Sequence, residues 1–278
     1  MIQPWGGLTA RPTFHQDWKK KTMTDSIDVD LNFSLGGKVA LVTGGASGIG
    51  SAIASAFAAK GAVVGVIDIN ESVARAKADE LGNGAKSFVC DVADPKSVEA
   101  VFAAAQAAFG QIDIVVNSAG VAILAPAEEL ALDAWDKTID INLKGTFLVC
   151  QAAGRALIKA GKGGKIINMA SQAGSVAIDQ HAAYCASKFG VIGLSKTLAA
   201  EWGKHGITVN TISPTVVLTD LGRKAWDNPR GEALKQRIPT GRFAFPQEIA
   251  AAAVFLASNG ADMINGADLL VDGGYTIV

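Results

Sequence analysis

Tyr184 and Lys188 stand four apart in the stretch "AAYCASKFG", a spacing that places a phenol and an ammonium on one face of a helix. A phenol ordinarily releases its proton near pH ~10, and a neighbouring cation stabilises the phenolate, so such a pair suits proton exchange near neutrality. Ser171, thirteen residues before the tyrosine, closes an apolar run and could hold a substrate oxygen. Asn142 falls inside a predicted long helix, where an amide has poor propensity; a polar duty such as holding a water in a proton relay explains it. Each residue alone has a structural reading: core tyrosine, solvated lysine, strand-end cap, satisfied buried amide. Their joint placement points instead to a site of proton chemistry.

The elements that must position these residues follow one rhythm. "GKVALVTGG" is a β-rich apolar run ending in glycines, after which Ile49, Ile53 and Phe57 recur at helical spacing up to Gly61. The same alternation repeats through "AVVGVID", "AKSFVCDV", "IDIVVNSAG", "GKIINMAS", "ITVNTISP" and "DLLVDGG", each but the last followed by a helical pattern. Asp94 can cap the third helix, with Pro95 at its first position. Strands apolar on both faces, alternating with helices, predict an α/β doubly wound fold: a single seven-stranded parallel sheet with helices on both faces. Residues 34–278 then form one domain. Residues 215–240 break the rhythm and form a candidate lid over a ligand.

In "TGGASGIG", Gly44, Gly48 and Gly50 occupy the first strand-to-helix junction, where glycines let the backbone approach a pyrophosphate whose charge meets free N–H groups and the positive helix end. Asp68 ends the second strand and can accept hydrogen bonds from ribose hydroxyls while repelling a 2′-phosphate. With no Arg or Lys between Gly61 and Glu71, or in the glycine turn, the expected cofactor is NAD rather than NADP. Asp91, read as the end of the third strand, could contact an adenine amino group while Val92 packs the ring. "NSAG" ends the fourth strand. There Asn117 would stabilise the loop, and the small Ala119 and Gly120 would let a dinucleotide pass.

Composition narrows the partners. Twenty-five basic and 26 acidic side chains give a net charge of −1, which argues against nucleic acid or an anionic membrane surface. No apolar run is long enough to span a bilayer. Three widely spaced cysteines read as reduced thiols of a cytoplasmic protein, and the scattered His15, His181 and His205 give no metal spacing. Residues 1–33 lack periodicity and an apolar core stretch; they read as a flexible N-terminal extension in which Met23 is an alternative start.

"TGGASGIG", "NSAG", Asn142, Ser171 and "YCASK" together resemble the short-chain dehydrogenase/reductase family over about residues 34–278. The resemblance implies a Rossmann-like sheet, hydride transfer with a nicotinamide, a homotetramer, and a catalytic set of Asn142, Ser171, Tyr184 and Lys188. It extends the dinucleotide contacts to Ser47, Ile49, Pro214, Val217 and Thr219, and to Tyr184 and Lys188, with the lysine hydrogen-bonding the nicotinamide ribose. "SPTVVLTDLGRKAW", in which Thr215 replaces the glycine that follows proline in many relatives, resembles the xylulose reductase and polyol dehydrogenase branch, as do "RIPTGRFA" and the pairs "SQ" and "YC". That branch implies a small polyol or ketose substrate such as threitol, xylitol or arabinitol, with Gln172, His181 and Trp226 as candidate substrate contacts. His181 and Trp226 also read as a helix cap and a packing anchor. A carbonyl or 3-oxoacyl reductase and a non-catalytic NAD-binding sensor are the competing readings.

Overall fold

In the computed structural model, which describes residues 29–278, parallel strands β1 (Val39–Thr43), β2 (Val63–Asp68), β3 (Lys86–Val89), β4 (Ile114–Asn117), β5 (Gly164–Met169), β6 (Ile207–Pro214) and β7 (Asp268–Val271) form one sheet. Their order is β3-β2-β1-β4-β5-β6-β7. The connecting helices are α1 (Gly48–Ala59), α2 (Glu71–Leu81), α3 (Pro95–Phe109), α4 (Leu132–Ile139), α5 (Thr146–Ala160), α6 (Ala182–Trp202) and α9 (Pro246–Ala257). Two short helices, α7 (Asp220–Trp226) and α8 (Pro229–Lys235), lie within the predicted lid.

Alternation along the strands explains the layers. Ala40, Val42, Ile114, Val116 and Ile167 pack with Ile53 and Phe57 of α1 and Ile249 of α9. Their neighbours Leu41, Val115 and Ile166 face the other way, against Phe102 of α3, Leu157 of α5 and Leu198 of α6. Both faces of the central strands are therefore dry, as their uninterrupted apolar runs require, while the edge strands β3 and β7 are partly exposed. Asp94 caps α3 by accepting from the Lys96 N–H at 3.0 Å, with Pro95 in the first turn.

Two sequence boundaries move. β3 stops at Val89 and β5 at Met169, so Asp91 and Ser171 lie two residues past their strands, in the loops at the carboxyl edge. The long helix predicted through Asn142 is interrupted: a π-helical turn, Asp140–Gly145, joins α4 to α5. A side chain on Gly145 would come within 2.9 Å of Val92 Cγ2, so glycine is what allows this turn to pack on the β3 loop.

The first 28 residues of the predicted extension lie outside the described ones. At its end, Asp30 accepts from the Asn32 and Ser34 N–H groups, Lys60 donates to the Asn32 carbonyl at 2.9 Å, and Phe33 meets the Phe255 ring edge-on at 5.5 Å.

Candidate active site

β1 and β4 are neighbours although their helices leave in opposite directions, and this reversal opens a crevice at their carboxyl ends. Gly44 has φ +61°, and a Cβ there would stand 2.9 Å from the Ala119 backbone. The Thr43 hydroxyl accepts from the Ser118 and Ala119 N–H groups at 3.1 and 3.3 Å, holding the loop after β4 against the turn after β1. A Cβ on Gly50 would collide with the Gly44 carbonyl. Ser47 begins α1 in an extended conformation without a side-chain cap, no acid occupies the first turn, and Ser47 and Gly48 are exposed. The free N–H groups and positive end of α1 are thus open to an anion.

Asp68 flanks this turn. Its carboxylate accepts from the Ala46 N–H at 3.4 Å and the Asn70 N–H at 3.1 Å. Thr219 closes the other side: its methyl would lie 3.4 Å from a Cβ on Gly48, and its hydroxyl caps α7 by accepting from the Gly222 N–H at 3.0 Å. Val217 bridges Ala244, and Pro214 ends β6, so the base of the lid is tied to the sheet. Ile49 is half-buried against the first core layer.

The residues expected to carry proton chemistry gather at the end of β5 and the start of α6. Lys188 is buried, donates to the Met169 carbonyl at 2.7 Å, and has its ammonium 5.5 Å from the centre of the Tyr184 ring. Burial pulls its pKa down to about 8. Tyr184 hydrogen-bonds Ser171, which favours the phenolate, yet burial outweighs this and raises the phenol above its ordinary range. The expected lowering by Lys188 is therefore not the governing effect in the protein alone. Desolvation of the charged form wins because Lys188 is buried and the half-buried Tyr184 packs beside it. Ser171 also caps the short 3₁₀ turn that follows, accepting from the Ala173 N–H at 3.1 Å.

Asn142 is fully buried in the π-helical turn. Its side chain accepts from the Val121 N–H at 2.8 Å and donates to the Val121 carbonyl at 2.9 Å and the Ser187 hydroxyl at 3.1 Å. Its polar duty in the fold is to clamp the loop after β4 to α6. Thr146 donates to the Asn142 carbonyl at 2.7 Å. A Cβ on Gly120 would stand 3.2 Å from Asn142 Oδ1 and 3.9 Å from Lys188 Nζ, so these three residues converge.

His181 lies 6.0 Å from Tyr184, ring to ring, and its Nδ1 is 2.6 Å from the Asp179 carbonyl; it makes no side-chain cap of α6. Gln172 is buried directly after Ser171. Trp226 packs edge-on against Phe243 at 6.3 Å within a third apolar cluster, as a lid anchor. Asp91 is exposed and accepts from the Ala93 N–H at 2.9 Å, while Val92 is buried in the second core layer.

Asn117 donates to Asn168 at 2.8 Å, and Asn168 donates to Ser195 at 2.8 Å, a buried chain from β4 through β5 to α6. Cys150 joins it with its thiol pushed up to about 12 by burial. Sequence reasoning did not single out Thr43, Asn168, Ser187 or Ser195; hydroxyl and amide side chains inside otherwise apolar strands and helices are the available signal. Among the described residues no cluster of three or more His, Cys, Asp or Glu is arranged to hold a metal, and no helix is long and apolar enough to cross a membrane.

Residues 44–276 match the family model described as enoyl-(acyl carrier protein) reductase. The chain is 66% identical over 259 residues to D-threitol dehydrogenase of Mycolicibacterium smegmatis, covering 92% of this chain and 99% of that one. It is 49% identical to an NAD-dependent glycerol dehydrogenase of Listeria innocua, covering 89% and 97%. Among solved structures, a gluconate 5-dehydrogenase from Burkholderia cenocepacia in complex with NADP and tartrate superposes with TM-score 0.85 at 38% identity, covering 88% and 98%.

Proposed function

The chain belongs to the short-chain dehydrogenase/reductase family and is an oxidoreductase acting on CH–OH groups, and from that premise we propose that it reversibly oxidises a secondary hydroxyl of a small sugar alcohol to the ketose with NAD. The observation that carries the reading is the grouping of Ser171, Tyr184 and Lys188 beside a glycine turn suited to a pyrophosphate. The names of the threitol and glycerol dehydrogenase relatives support a polyol substrate.

The chain's residues fit a dinucleotide. Gly44 and Gly50 leave no room for a Cβ, and the open start of α1 would hold the pyrophosphate. Asp68 would take the adenosine ribose, and its charge supports NAD. When bound, the nicotinamide supplies the hydride acceptor. In oxidation Tyr184 removes the hydroxyl proton, Ser171 orients the same oxygen, and Lys188 supplies positive charge that favours the phenolate. In reduction Tyr184 returns the proton.

Gln172 follows Ser171 and would meet the neighbouring hydroxyls; His181, beside Tyr184, faces the same group. The exposed apolar Leu132, Trp135, Phe147 and Phe189 on α4, α5 and α6 support an assembly of subunits, for which the family resemblance implies a homotetramer. An initial-rate panel of four- to six-carbon polyols, ketoses and an acetoacetyl thioester against NAD and NADP tests the reading. Turnover confined to the thioester would favour a 3-oxoacyl reductase, the activity named for a relative 41% identical to this chain, and NAD binding without turnover would favour a sensor.

A further inference from the structure

Helix α6 carries one arrangement of side chains twice. The Asn142 amide donates to the Ser187 hydroxyl at 3.1 Å, and that hydroxyl donates to the Tyr184 carbonyl at 2.7 Å. Further along, the Asn168 amide donates to the Ser195 hydroxyl at 2.8 Å, which donates to the Val191 carbonyl at 2.7 Å. Both serines are buried. The two arrangements differ in what they hold. The second fixes a core valine about two turns past the tyrosine, whereas the first fixes the backbone of the residue that bears the phenol.

Hydrogen counting shows how firmly. A hydroxyl has one hydrogen, and the Asn142 nitrogen, being a donor, occupies a Ser187 lone pair and leaves that hydrogen to the Tyr184 carbonyl. The serine cannot rotate without losing a bond. Asn142 is itself fixed, since its oxygen accepts from the Val121 N–H at 2.8 Å and its nitrogen also donates to the Val121 carbonyl at 2.9 Å. The Tyr184 carbonyl is thus tied through two side chains to the loop after β4. On the adjoining residue, Lys188 donates to the Met169 carbonyl at 2.7 Å, so the opening turns of α6 are held from β5 and from the π-helical turn alike. Gly190 lets the helix lie that close: a Cβ there would stand 2.8 Å from Leu143 Cδ2 in the π-helical turn.

We propose that Ser187 is a positioning residue for Tyr184, fixing the backbone from which the ring extends, and that Asn142 acts on the proton step through it. This rests on the reading of Tyr184 as the proton acceptor. A misplacement of about 1 Å at a reacting group can cost on the order of 10²-fold in rate, so the bond governs rate rather than affinity.

The test uses the full-length enzyme with its preferred nicotinamide cofactor and whichever substrate of the panel turns over best. It reads the single-turnover rate at saturating substrate, with KM, cofactor affinity and Tm alongside. Ser187→Ala should slow that step about tenfold while KM and cofactor affinity stay within about twofold. Ser195→Ala removes the matching pair of bonds and should lower Tm comparably, with a rate within about twofold of wild type. Ser187→Cys keeps the shape and a weak donor, and should fall between serine and alanine. In an Asn142→Ala background, Ser187→Ala should slow the step by much less than it does alone. Equal rate losses in Ser187→Ala and Ser195→Ala, a wild-type rate in Ser187→Ala, or full additivity with Asn142→Ala would each overturn the proposal. Should Ser187→Ala fail to fold, a wild-type rate in Ser187→Cys overturns it instead. Near-normal turnover in Tyr184→Phe would remove the reading of Tyr184 first and the role of Ser187 with it, whereas an inactive Tyr184→Phe beside a normal Ser187→Ala refutes this proposal alone. A wild type that turns over no member of the panel refutes the proposed function and this inference together.

Discussion

The Lys188 ammonium lies 5.5 Å from the centre of the Tyr184 ring, yet it gives its short hydrogen bond, 2.7 Å, to the Met169 carbonyl at the end of β5. Lysine is thus a fixed charge near the phenol rather than its bonding partner. Its influence is an electric field that grows as water is excluded, while burial opposes it by disfavouring both charges. The balance in the protein alone lies with burial, which holds the phenol above its ordinary range.

Tyr184→Phe removes the proton acceptor and keeps the ring. The expected result is a fall in kcat of roughly 10²–10⁴ with NAD affinity, read by fluorescence titration, essentially unchanged. Near-normal turnover would take Tyr184 out of the mechanism.

Lys188→Met should abolish most activity and change how stability responds to pH. The lysine is pulled from 10.5 down to about 8, so between those values the unfolded chain holds a proton that the folded chain has released. Wild-type stability therefore rises relative to the variant as pH climbs through that window, by on the order of 1–3 kcal/mol, and the difference is flat below it. Parallel urea-unfolding curves at pH 7 and 10 would contradict a buried ammonium.

Asp68→Ala removes the charge beside the Ala46 N–H. The ratio of kcat/KM for NADP over NAD should rise by about tenfold or more. A wild type that already prefers NADP would show that this carboxylate does not set cofactor choice.

Asn142→Ala strips partners from the Val121 N–H and carbonyl and from the Ser187 hydroxyl. Because these groups are shielded from water, the expected cost is about 2–4 kcal/mol in equilibrium unfolding. A loss below about 0.5 kcal/mol would mean the loop after β4 is held by other contacts.

Much of this architecture is legible in the sequence because its causes are local. Two-sided apolar runs give the seven strands, and glycines at a strand-to-helix junction mark the crevice. The four-residue spacing puts Tyr184 and Lys188 on one turn-related face. The π-helical turn is not legible, since it depends on Gly145 meeting Val92, more than fifty residues away in the chain. The upward shift of Tyr184 is hidden for the same reason: spacing shows a cation nearby, whereas desolvation is decided by everything packed around the pair. Thr43, Asn168 and Ser195 read as ordinary strand and helix residues until their partners on other elements are known.

Phe33 packs as part of the described fold. Its ring lies across Phe255 on α9, and the chain just before it is pinned by Lys60. Removing Phe33 by starting the chain at Ser34 would therefore uncover an aromatic surface and lower the melting temperature, by the equivalent of about 1–2 kcal/mol.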